Sequence, residues 1–390
     1  MKPDAGIYLD YNATTPCDPR VVEKMLPYFT EIYGNPANGF HKQGKLSAKA
    51  IDIAREQIGD LIGARSQEIV FTSGATESDN LAILGAARIH RGEKRNRIVT
   101  SKVEHKAVML ACKKLQEEGF DVIFLPVDKE GRVLLDKAEE AINGNTILVS
   151  VQGANNEIGT IQPIAQLAEL AHKYGALIHC DAAQAVGKIP VSIEEWDVDL
   201  FSMSAHKLYG PKGIGALFIR GGSNALPLEP IWYGGGQENG LRSGTMNVPS
   251  IVGFGEACKI CANELPQESP RIQKIRDTLE SELLSKIARL IINGSNAMRL
   301  PNTSSLTFPG IDADALILNA PEIMIGTGSA CTSGAVEPSH VLTAMGHSRV
   351  DASSTVRISL GRFTHMEEII AAISSIESSY QRLALPQNSK

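Results

Sequence analysis

The sequence predicts an α/β protein in which a large doubly wound domain is followed by a smaller α+β domain. From about residue 18, segments of helical periodicity alternate with short apolar runs, as in a doubly wound sheet. After residue 261 the strands are fewer, and helices lie between them. The length of 390 residues exceeds that of one ordinary domain. We therefore predict a large domain over 16–261 and a small domain formed by 1–15 and 262–390.

The first part of the chain has clear helix and strand patterns. Asp18-Pro19 is typical of a helix start, and apolar residues recur at helical spacing as far as Phe29. A second helix over 46–62 is expected to end at Gly63. Seven apolar runs of strand length follow, several of them separated by helical segments: EIVFT, RIVT, VIFLPV, TILVSV, ALIHC, LFSMS and GALFI.

The last part of the chain has a different pattern. An amphipathic helix over 272–283 leads to four further apolar runs, namely LIING, SSLTF, IMIGTGS and TVRISL. Helices are expected to begin at Ala313, Ser339 and Met366. Few strands with helices between them predict the smaller α+β domain.

Composition excludes several classes of protein. The formal net charge of -6 argues against a nucleic-acid-binding protein, and no stripe of Lys and Arg is interleaved with aromatic residues. The first residues, MKPDAGIYLD, lack the apolar core of a secretory signal, and no apolar run reaches the length of a bilayer span. Six cysteines are few for this length, which fits a reducing compartment. We therefore expect a cytoplasmic protein without nucleic-acid or membrane partners.

Polar residues gather where five of the predicted strands end. They occupy segments 73–77, 101–105, 153–157, 181–184 and 204–207. In an open α/β sheet, ligands bind outside the carboxyl ends of the strands. Five strand ends that offer His, Asn, Asp, Gln, Ser and Lys therefore predict a single polar crevice.

Each of these groups has a chemical use if the ligand is pyridoxal phosphate. The helix that opens at 74–76 would offer free N–H groups to the phosphate, and Asp181 would pair with the pyridinium N–H. Lys207 would bind the cofactor covalently, and His105 could stack on the ring and move protons. Local alternatives remain for each residue: Asp181 is also suited to cap the next helix, and a single Lys or His in a loop is often only solvated or hydrogen-bonded.

Nine segments of the chain resemble the cysteine desulfurases, which are pyridoxal-phosphate enzymes of the aminotransferase-like fold type I. The resemblance extends from Tyr8 to Thr364 in the order of that family, and the chain is most similar to its NifS/IscS group. The segments are LDYNATTP, FTSGATESDNLAI, SKVEHKAV, NNEIGT, DAAQAVGK, SMSAHKLYGPKGIG, GGGQENGLRSGT, GTGSACTSG and VRISLGRFT. Asn38 stands where the family more often has Ser.

The resemblance implies roles for the residues of the crevice. Lys207 corresponds to the lysine that holds the cofactor, Asp181 to the partner of the pyridine nitrogen, and His105 to the stacking residue. Gln184 corresponds to the ligand of the phenolic oxygen, and Asn156 to a contact of both ring and substrate. The phosphate ligands implied on this chain are Ala75, Thr76, Ser204 and His206.

The resemblance also implies a homodimer and a substrate. Thr245 corresponds to a residue that contacts the phosphate bound to the other subunit. Asn35 and Arg357 correspond to ligands of the substrate carboxylate, for which the planar guanidinium is well suited.

Among the cysteines, the resemblance assigns Cys331 as the carrier of a persulfide. Cys331 lies in GTGSACTSGAVEPSH, a run rich in small residues that is expected to be accessible. Cys258 and Cys261 form a C-x-x-C pair, but no second pair suggests zinc, and VGFGEACKICANEL is helical in pattern. We predict no metal site, and structural roles for Cys17, Cys112 and Cys180.

The function implied is that of a cysteine desulfurase, which converts L-cysteine to L-alanine. Lys207 would remove the Cα proton, and the Cys331 thiolate would take the substrate sulfur and pass it to an acceptor such as an iron–sulfur scaffold protein. An aminotransferase would leave Cys331 without a task, whereas a selenocysteine lyase would share nearly every residue. A non-catalytic sulfur-relay or scaffold homologue is disfavoured by the intact Lys207, Asp181, His105 and Cys331.

Overall fold

The computed structural model describes residues 6–327 and 338–384. Cys331 lies outside the described residues. A seven-stranded sheet forms the centre of the large α/β part, in the order β2-β8-β7-β6-β5-β3-β4. Its strands are β2 (Ile69–Thr72), β3 (Arg97–Ser101), β4 (Asp121–Leu125), β5 (Thr146–Ser150), β6 (Leu177–Asp181), β7 (Leu200–Ser204) and β8 (Gly215–Ile219).

The sheet is parallel except for β8, which pairs antiparallel with both β2 and β7. Strands β2, β5, β7 and β8 are buried along their whole length. Their continuous apolar runs fit a sheet that is covered on both faces. All seven predicted strands are present, and the five polar segments follow strands whose carboxyl ends lie at one edge.

Helices surround this sheet. They are α1 (Pro19–Met25), α2 (Pro27–Thr30), α3 (Lys42–Ile62), α4 (Ala75–Arg88), α5 (Lys106–Glu117), α6 (Leu135–Ala141), α7 (Ile164–Lys173), α8 (Ile193–Trp196) and the first part of α9 (Val248–Lys286). Helix α3 ends at Gly63, whose φ of 75° lies in the left-handed region that favours glycine. Three short 3₁₀ turns lie at Ser66–Glu68, Ala205–Lys207 and Glu238–Gly240.

A smaller α+β region follows. Strands β9 (Ile291–Ile292), β10 (Thr303–Thr307) and β12 (Thr355–Ser359) form an antiparallel sheet, and β1 (Ile7–Tyr8) pairs with β11 (Ile323–Met324). Its helices are α10 (Ala313–Leu318), α11 (His340–Ala344), α12 (Arg349–Ser353) and α13 (Met366–Ala384). The α/β fold class with a large central sheet is therefore confirmed.

Two helices differ from the sequence prediction. The first helix is broken at Leu26, because Pro27 starts a new turn, and Phe29 is 59% exposed. Helix α9 is continuous over 39 residues although it contains Pro266 and Pro270.

The two ends of helix α9 belong to different apolar clusters. Up to Cys261 its buried residues pack with the large sheet, and from Ile272 they pack with the small region. The domain boundary at residue 261, which falls inside this helix, stays a prediction. Among the helices of the described residues, none is both long and apolar enough to cross a membrane.

Candidate active site

A cavity of about 500 Å³ opens at the carboxyl edge of the large sheet, within the size range of ligand pockets. It collects side chains from the ends of β2, β5, β6 and β7, together with residues of the loop after β1. Ten of the predicted site residues line it: Ala75, Thr76, His105, Asn156, Asp181, Gln184, Ser204, His206, Lys207 and Arg357. The structure thus brings together the crevice that the strand ends predicted.

Lys207 ends the 3₁₀ turn that follows β7. The turn directs its side chain across the cavity toward the loop after β1. There its Nζ donates hydrogen bonds to the backbone carbonyls of Asn12 at 2.5 Å and Ala13 at 2.9 Å. Both hydrogen bonds join residues that are nearly two hundred positions apart in the sequence. They therefore depend on the tertiary structure and cannot be predicted from local sequence.

Asp181 is the last residue of β6 and is only 6% exposed. Its Oδ1 accepts a hydrogen bond from the backbone N–H of Ala183 at 3.0 Å. The alternative role as a helix cap is wrong, since residues 183–188 form turns and no helix starts there. Burial raises the pKa of Asp181, while the neighbouring His105, the N–H of Ala183 and the charge of Lys207 act to lower it. A cationic partner in the cavity would relieve this buried carboxyl.

His105 caps helix α5 and also faces the cavity. Its Nδ1 accepts from the backbone N–H of Ala107 at 3.2 Å, so a proton on the neutral ring belongs on Nε2. Burial lowers the pKa of His105, against the effect of Asp181. The ring is therefore neutral near pH 7 and can present an N–H to a ligand.

Two further carboxyl groups lie behind Asp181. Asp79 is fully buried; the nearby Ser202 acts to lower its pKa, and His179 Nε2 on β6 lies 3.6 Å from its Oδ1. Burial, and then the charge of Asp181, raises the pKa of Asp79. Glu104 accepts from Ser101 Oγ at 2.5 Å, and burial raises its pKa to about 8. Burial thus opposes ionisation of both acids, and of the three carboxyl groups Asp181 is the one that lines the cavity.

Ligand atoms of Asp79, His105 and Asp181 lie within 4.8 Å of one another. Among residues 6–327 and 338–384, these three are the His, Cys or acidic side chains whose ligand atoms lie close enough together to hold a metal ion. Metal ligands of this kind must be deprotonated. Because burial raises the pKa of Asp79, its ionised form is disfavoured, and Asp79 is poorly suited to such a role.

The start of helix α4 forms a second wall of the cavity. Its N-cap is Gly74, which provides no capping side chain for the N–H groups of the first turn. Gly74 has a φ of 153°, and a Cβ there would lie 3.7 Å from Ser204 Oγ. The backbone conformation therefore favours glycine at this position, and the uncapped N–H groups of the first turn face the cavity, where an anion can bind.

His206 adds a neutral donor to the same wall. Its Nδ1 lies 3.1 Å from Thr14 Oγ1. Burial, and then the charges of Lys207, Lys212 and Lys188, lowers the pKa of His206 to about 4. The ring is consequently uncharged at pH 7, and the positive charge of this wall comes from lysines.

Arg357 lies at the opposite side of the cavity, on β12, and is 4% exposed. Its Nη2 forms an ion pair with Asp10 Oδ1 at 2.6 Å, and its Nη1 donates to the carbonyl of Asn156 at 3.0 Å. The buried Nε has no partner among the described residues. Asp10 holds one end of the guanidinium, and because a guanidinium has five N–H donors, its Nη groups keep hydrogens for an anionic ligand in the cavity.

Two predicted site residues lie elsewhere. Asn35 and Thr245 line a separate cavity of about 220 Å³. The loop before Thr245 nevertheless touches the rim of the main cavity, because Arg242 Nε donates to Glu77 Oε1 at 2.9 Å. In the single chain these two residues are therefore not placed beside Lys207 and Asp181.

The cysteines of the described residues are mostly buried. Cys258 and Cys261 lie inside helix α9 and are at most 1% exposed, and burial raises the pKa of both thiols. Cys112 and Cys180 are fully buried, and Cys17 is half-buried. Raised pKa values oppose thiolate formation, so these side chains are poor nucleophiles.

Sequence reasoning missed Asn12 and Lys188, which contact the site residues directly. Asn12 is 1% exposed and bonds to both Lys207 and Gln184. Lys188 is 8% exposed, and its Nζ contacts Gln184 Oε1. A lysine within the apolar stretch AVGKIPV was the available signal for Lys188. For Asn12 the only signal in the sequence was its position within the segment LDYNATTP.

The residues present fit pyridoxal phosphate. A helix N-terminus with a glycine cap faces the cavity opposite the buried carboxyl of Asp181, whose pKa burial raises. A lysine, a neutral histidine and an arginine complete the wall. An anionic group, a protonated ring nitrogen and an aldehyde would each find a complementary partner.

Comparison with known proteins agrees with this donor set. The aminotransferase class-V family matches residues 7–371. The chain is 48% identical over 379 residues to "Cysteine desulfurase IscS" of Mannheimia succiniciproducens, covering 97% of this chain and 93% of that protein. The chain therefore belongs to the class-V aminotransferase family and, within it, to the cysteine desulfurases.

Solved structures give the same relationship. A "NIFS-LIKE PROTEIN" superposes with a TM-score of 0.89 at 40% identity, covering 97% of this chain and all of the other. "SspA in complex with cysteine" superposes with a TM-score of 0.81 at 38% identity, covering 92% of this chain and 100% of that one. The predicted family and its aminotransferase-like fold are thus confirmed.

Proposed function

We propose that this protein is a pyridoxal-phosphate-dependent cysteine desulfurase that converts L-cysteine to L-alanine and transfers the sulfur to Cys331. The observation that carries the proposal is the cavity in which Lys207, Asp181 and His105 meet the N-terminus of helix α4 and Arg357. The family supports the same reaction, since a relative at 48% identity bears the name cysteine desulfurase.

The residues divide the work of holding the cofactor. The first turn of α4 with Ser204 and His206 would bind the phosphate, and Asp181 the pyridine nitrogen. His105 would lie over the ring, and Lys207 would bind its aldehyde. When bound, the cofactor serves as an electron sink for charge that develops on the substrate carbon.

The chain's own side chains would handle substrate and protons. Arg357 lines the cavity and would hold the substrate carboxylate through its Nη groups. The Lys207 amine, which lies against the carbonyls of Asn12 and Ala13, would take the proton from Cα of the substrate. His105 is neutral near pH 7 and would carry a proton to or from the substrate at Nε2.

The sulfur step requires a nucleophile. The Cys331 thiolate would attack the substrate sulfur, so that an S–S bond forms while the Cβ–S bond breaks. The electron pair of that bond would remain on the carbon fragment, which gains protons to become alanine. A thiol of an acceptor protein, such as an iron–sulfur scaffold, would then take the outer sulfur from Cys331.

A homodimer would complete the site. Asn35 and Thr245 line a cavity apart from Lys207, and large apolar side chains near Asn35 are exposed, with Tyr33 at 70% and Phe40 at 99%. A second copy of the chain would cover this surface and receive Thr245 at its own phosphate site. Cytoplasmic localisation is proposed from the composition.

The test is turnover by the purified protein reconstituted with pyridoxal phosphate. With L-cysteine and a thiol reductant, we expect alanine and sulfide in equal amounts, and Lys207→Ala should form neither. Lys114→Ala, on an exposed face of α5, serves as the control and should retain the activity. Cofactor uptake without alanine would refute the proposal, and a higher kcat/KM for L-selenocysteine would favour the selenocysteine lyase.

A further inference from the structure

Lys188 is a buried lysine behind the cavity wall. It is 8% exposed, and its Nζ donates to Asn12 Oδ1 at 3.1 Å and to Gln184 Oε1. Both of these acceptors are side-chain amide oxygens rather than carboxylates. Among the described residues no carboxylate pairs with this lysine, and burial, followed by the charges of Lys207 and Arg357, lowers its pKa well below the usual range.

Hydrogen bonds fix the orientation of Asn12. Its Oδ1 accepts from Lys188 Nζ and from Asn302 Nδ2 at 3.0 Å, while its Nδ2 donates to Thr303 Oγ1 at 2.8 Å. If the amide were flipped, its NH₂ group would face two hydrogen-bond donors, Lys188 Nζ and Asn302 Nδ2. Asn12 therefore holds its oxygen toward Lys188.

The orientation of Gln184 is fixed in the same way. Its Nε2 donates to the backbone carbonyl of Asn12 at 3.0 Å, and its Oε1 accepts from Lys188. A backbone carbonyl only accepts hydrogen bonds, so the amide cannot be reversed without losing both contacts. One hydrogen on Nε2 remains, and Gln184 lines the cavity. Lys188 thereby makes Gln184 a donor rather than an acceptor toward a ligand.

The same carbonyl of Asn12 also receives Lys207 Nζ, at 2.5 Å. Lys188 therefore binds the side chains of two residues that matter here: Gln184, and Asn12, whose backbone carbonyl accepts from Lys207. Asn12 is in turn anchored to the small region, because its backbone N–H donates to Ser359 Oγ at 2.9 Å.

We infer that Lys188 is a positioning residue for the cofactor: it fixes Gln184 as the hydrogen-bond donor to the phenolic oxygen. Through Asn12 it also holds the carbonyl that receives Lys207. This inference rests on the proposed function, since it requires pyridoxal phosphate in the cavity. A donor to the phenolic oxygen stabilises its deprotonated form, and loss of that donor raises the pH at which the bound cofactor titrates.

The experiment records the visible absorbance of bound pyridoxal phosphate as a function of pH, without substrate. In Lys188→Met we expect the midpoint of this absorbance change to rise by about one pH unit, which corresponds to a tenfold change in the protonation equilibrium of the bound cofactor. Lys188→Gln keeps a donor and should show less than half of that shift. Lys114→Met, an exposed lysine on α5, should show none.

A double-mutant cycle with Gln184→Leu distinguishes positioning from a general effect of charge. Once Gln184 is absent, Lys188→Met should move the midpoint by less than about a third of its effect in the wild type. Thermal unfolding of each apoprotein verifies that the variants fold, and Lys188→Gln replaces Lys188→Met if the latter does not.

Three results would overturn the inference. An unchanged midpoint in Lys188→Met would show that Gln184 does not depend on Lys188. An equal shift with and without Gln184 would show that the lysine acts by its charge alone. A wild-type protein that takes up no pyridoxal phosphate would instead refute the proposed function itself, and with it this role of Lys188.

Discussion

Replacing Asp181 by Asn removes a charge from the cavity while it preserves the shape of the side chain. Asp181 is 6% exposed, and its Oδ1 accepts from the N–H of Ala183, a bond that an Asn oxygen can also accept. What is lost is the ionised acceptor that would face the pyridine nitrogen. We expect Asp181→Asn to bind pyridoxal phosphate more weakly and to lose most of its turnover.

The magnitude follows from the strength of a buried, charge-assisted hydrogen bond. Such a bond is worth about 1.5–3 kcal/mol, which converts to roughly 10- to 150-fold in cofactor affinity. Little discount for solvent applies, because Asp181 is buried. Turnover should fall further than affinity, because the neutral Asn no longer keeps the ring nitrogen protonated.

The apoprotein should respond in the opposite direction. Burial raises the pKa of Asp181, so the folded apoprotein holds this proton more tightly than the unfolded chain does. Stability from this group is present at low pH and falls as pH rises from about 3.9 through the raised pKa. Asp181→Asn removes that loss, and the free energy of unfolding at pH 7 should stay equal or increase.

The assay combines equilibrium dialysis of the apoprotein against pyridoxal phosphate with urea unfolding. Asp199→Asn is a matched control, because Asp199 is also buried but accepts from Ile178 N–H at 2.9 Å and does not line the cavity. The control should be less stable, with unchanged cofactor affinity. Cofactor affinity of Asp181→Asn within twofold of the wild type would refute the role assigned to this carboxylate.

Three further predictions concern sulfur, substrate and pH. Cys331→Ser should retain pyridoxal phosphate but form no alanine, whereas Cys258→Ser should carry the persulfide on Cys331 as the wild type does. Mass spectrometry after one turnover with labelled sulfur locates the persulfide. Label on Cys258 of the wild-type protein would contradict the assignment. Asp10 holds one end of the buried Arg357 guanidinium, so Asp10→Asn should raise KM for L-cysteine by roughly tenfold, the equivalent of about 1.5 kcal/mol from a charge-assisted hydrogen bond. An unchanged or lower KM would show that Asp10 does not position the arginine. Burial lowers the pKa of His179 to about 3. The stability that this group contributes is present above pH 6.5 and should be lost as the pH falls toward 3, by up to about 1.4 kcal/mol per pH unit. In urea unfolding, the free energy of unfolding of His179→Asn should therefore depend less steeply on pH over this range.

Local patterns in the sequence were sufficient for the elements of the fold. Each apolar run of the large sheet became a strand, because its residues can be buried on both faces. Gly63 ended helix α3 since a left-handed residue is most readily a glycine. The break at Pro27 and the continuity of α9 through Pro266 and Pro270 were not predicted. In α9, buried residues on both sides of the prolines hold the helix together.

The sequence by itself determined which strand ends carry Lys207, Asp181 and His105, because polar residues directly after a parallel strand must lie at one edge of the sheet. The tertiary structure alone decided which distant groups meet them. The carbonyl of Asn12 reaches Lys207 across 195 positions, and Asp10 reaches Arg357 across 347. Such contacts depend on how separate elements pack, and no periodicity or local spacing records that information.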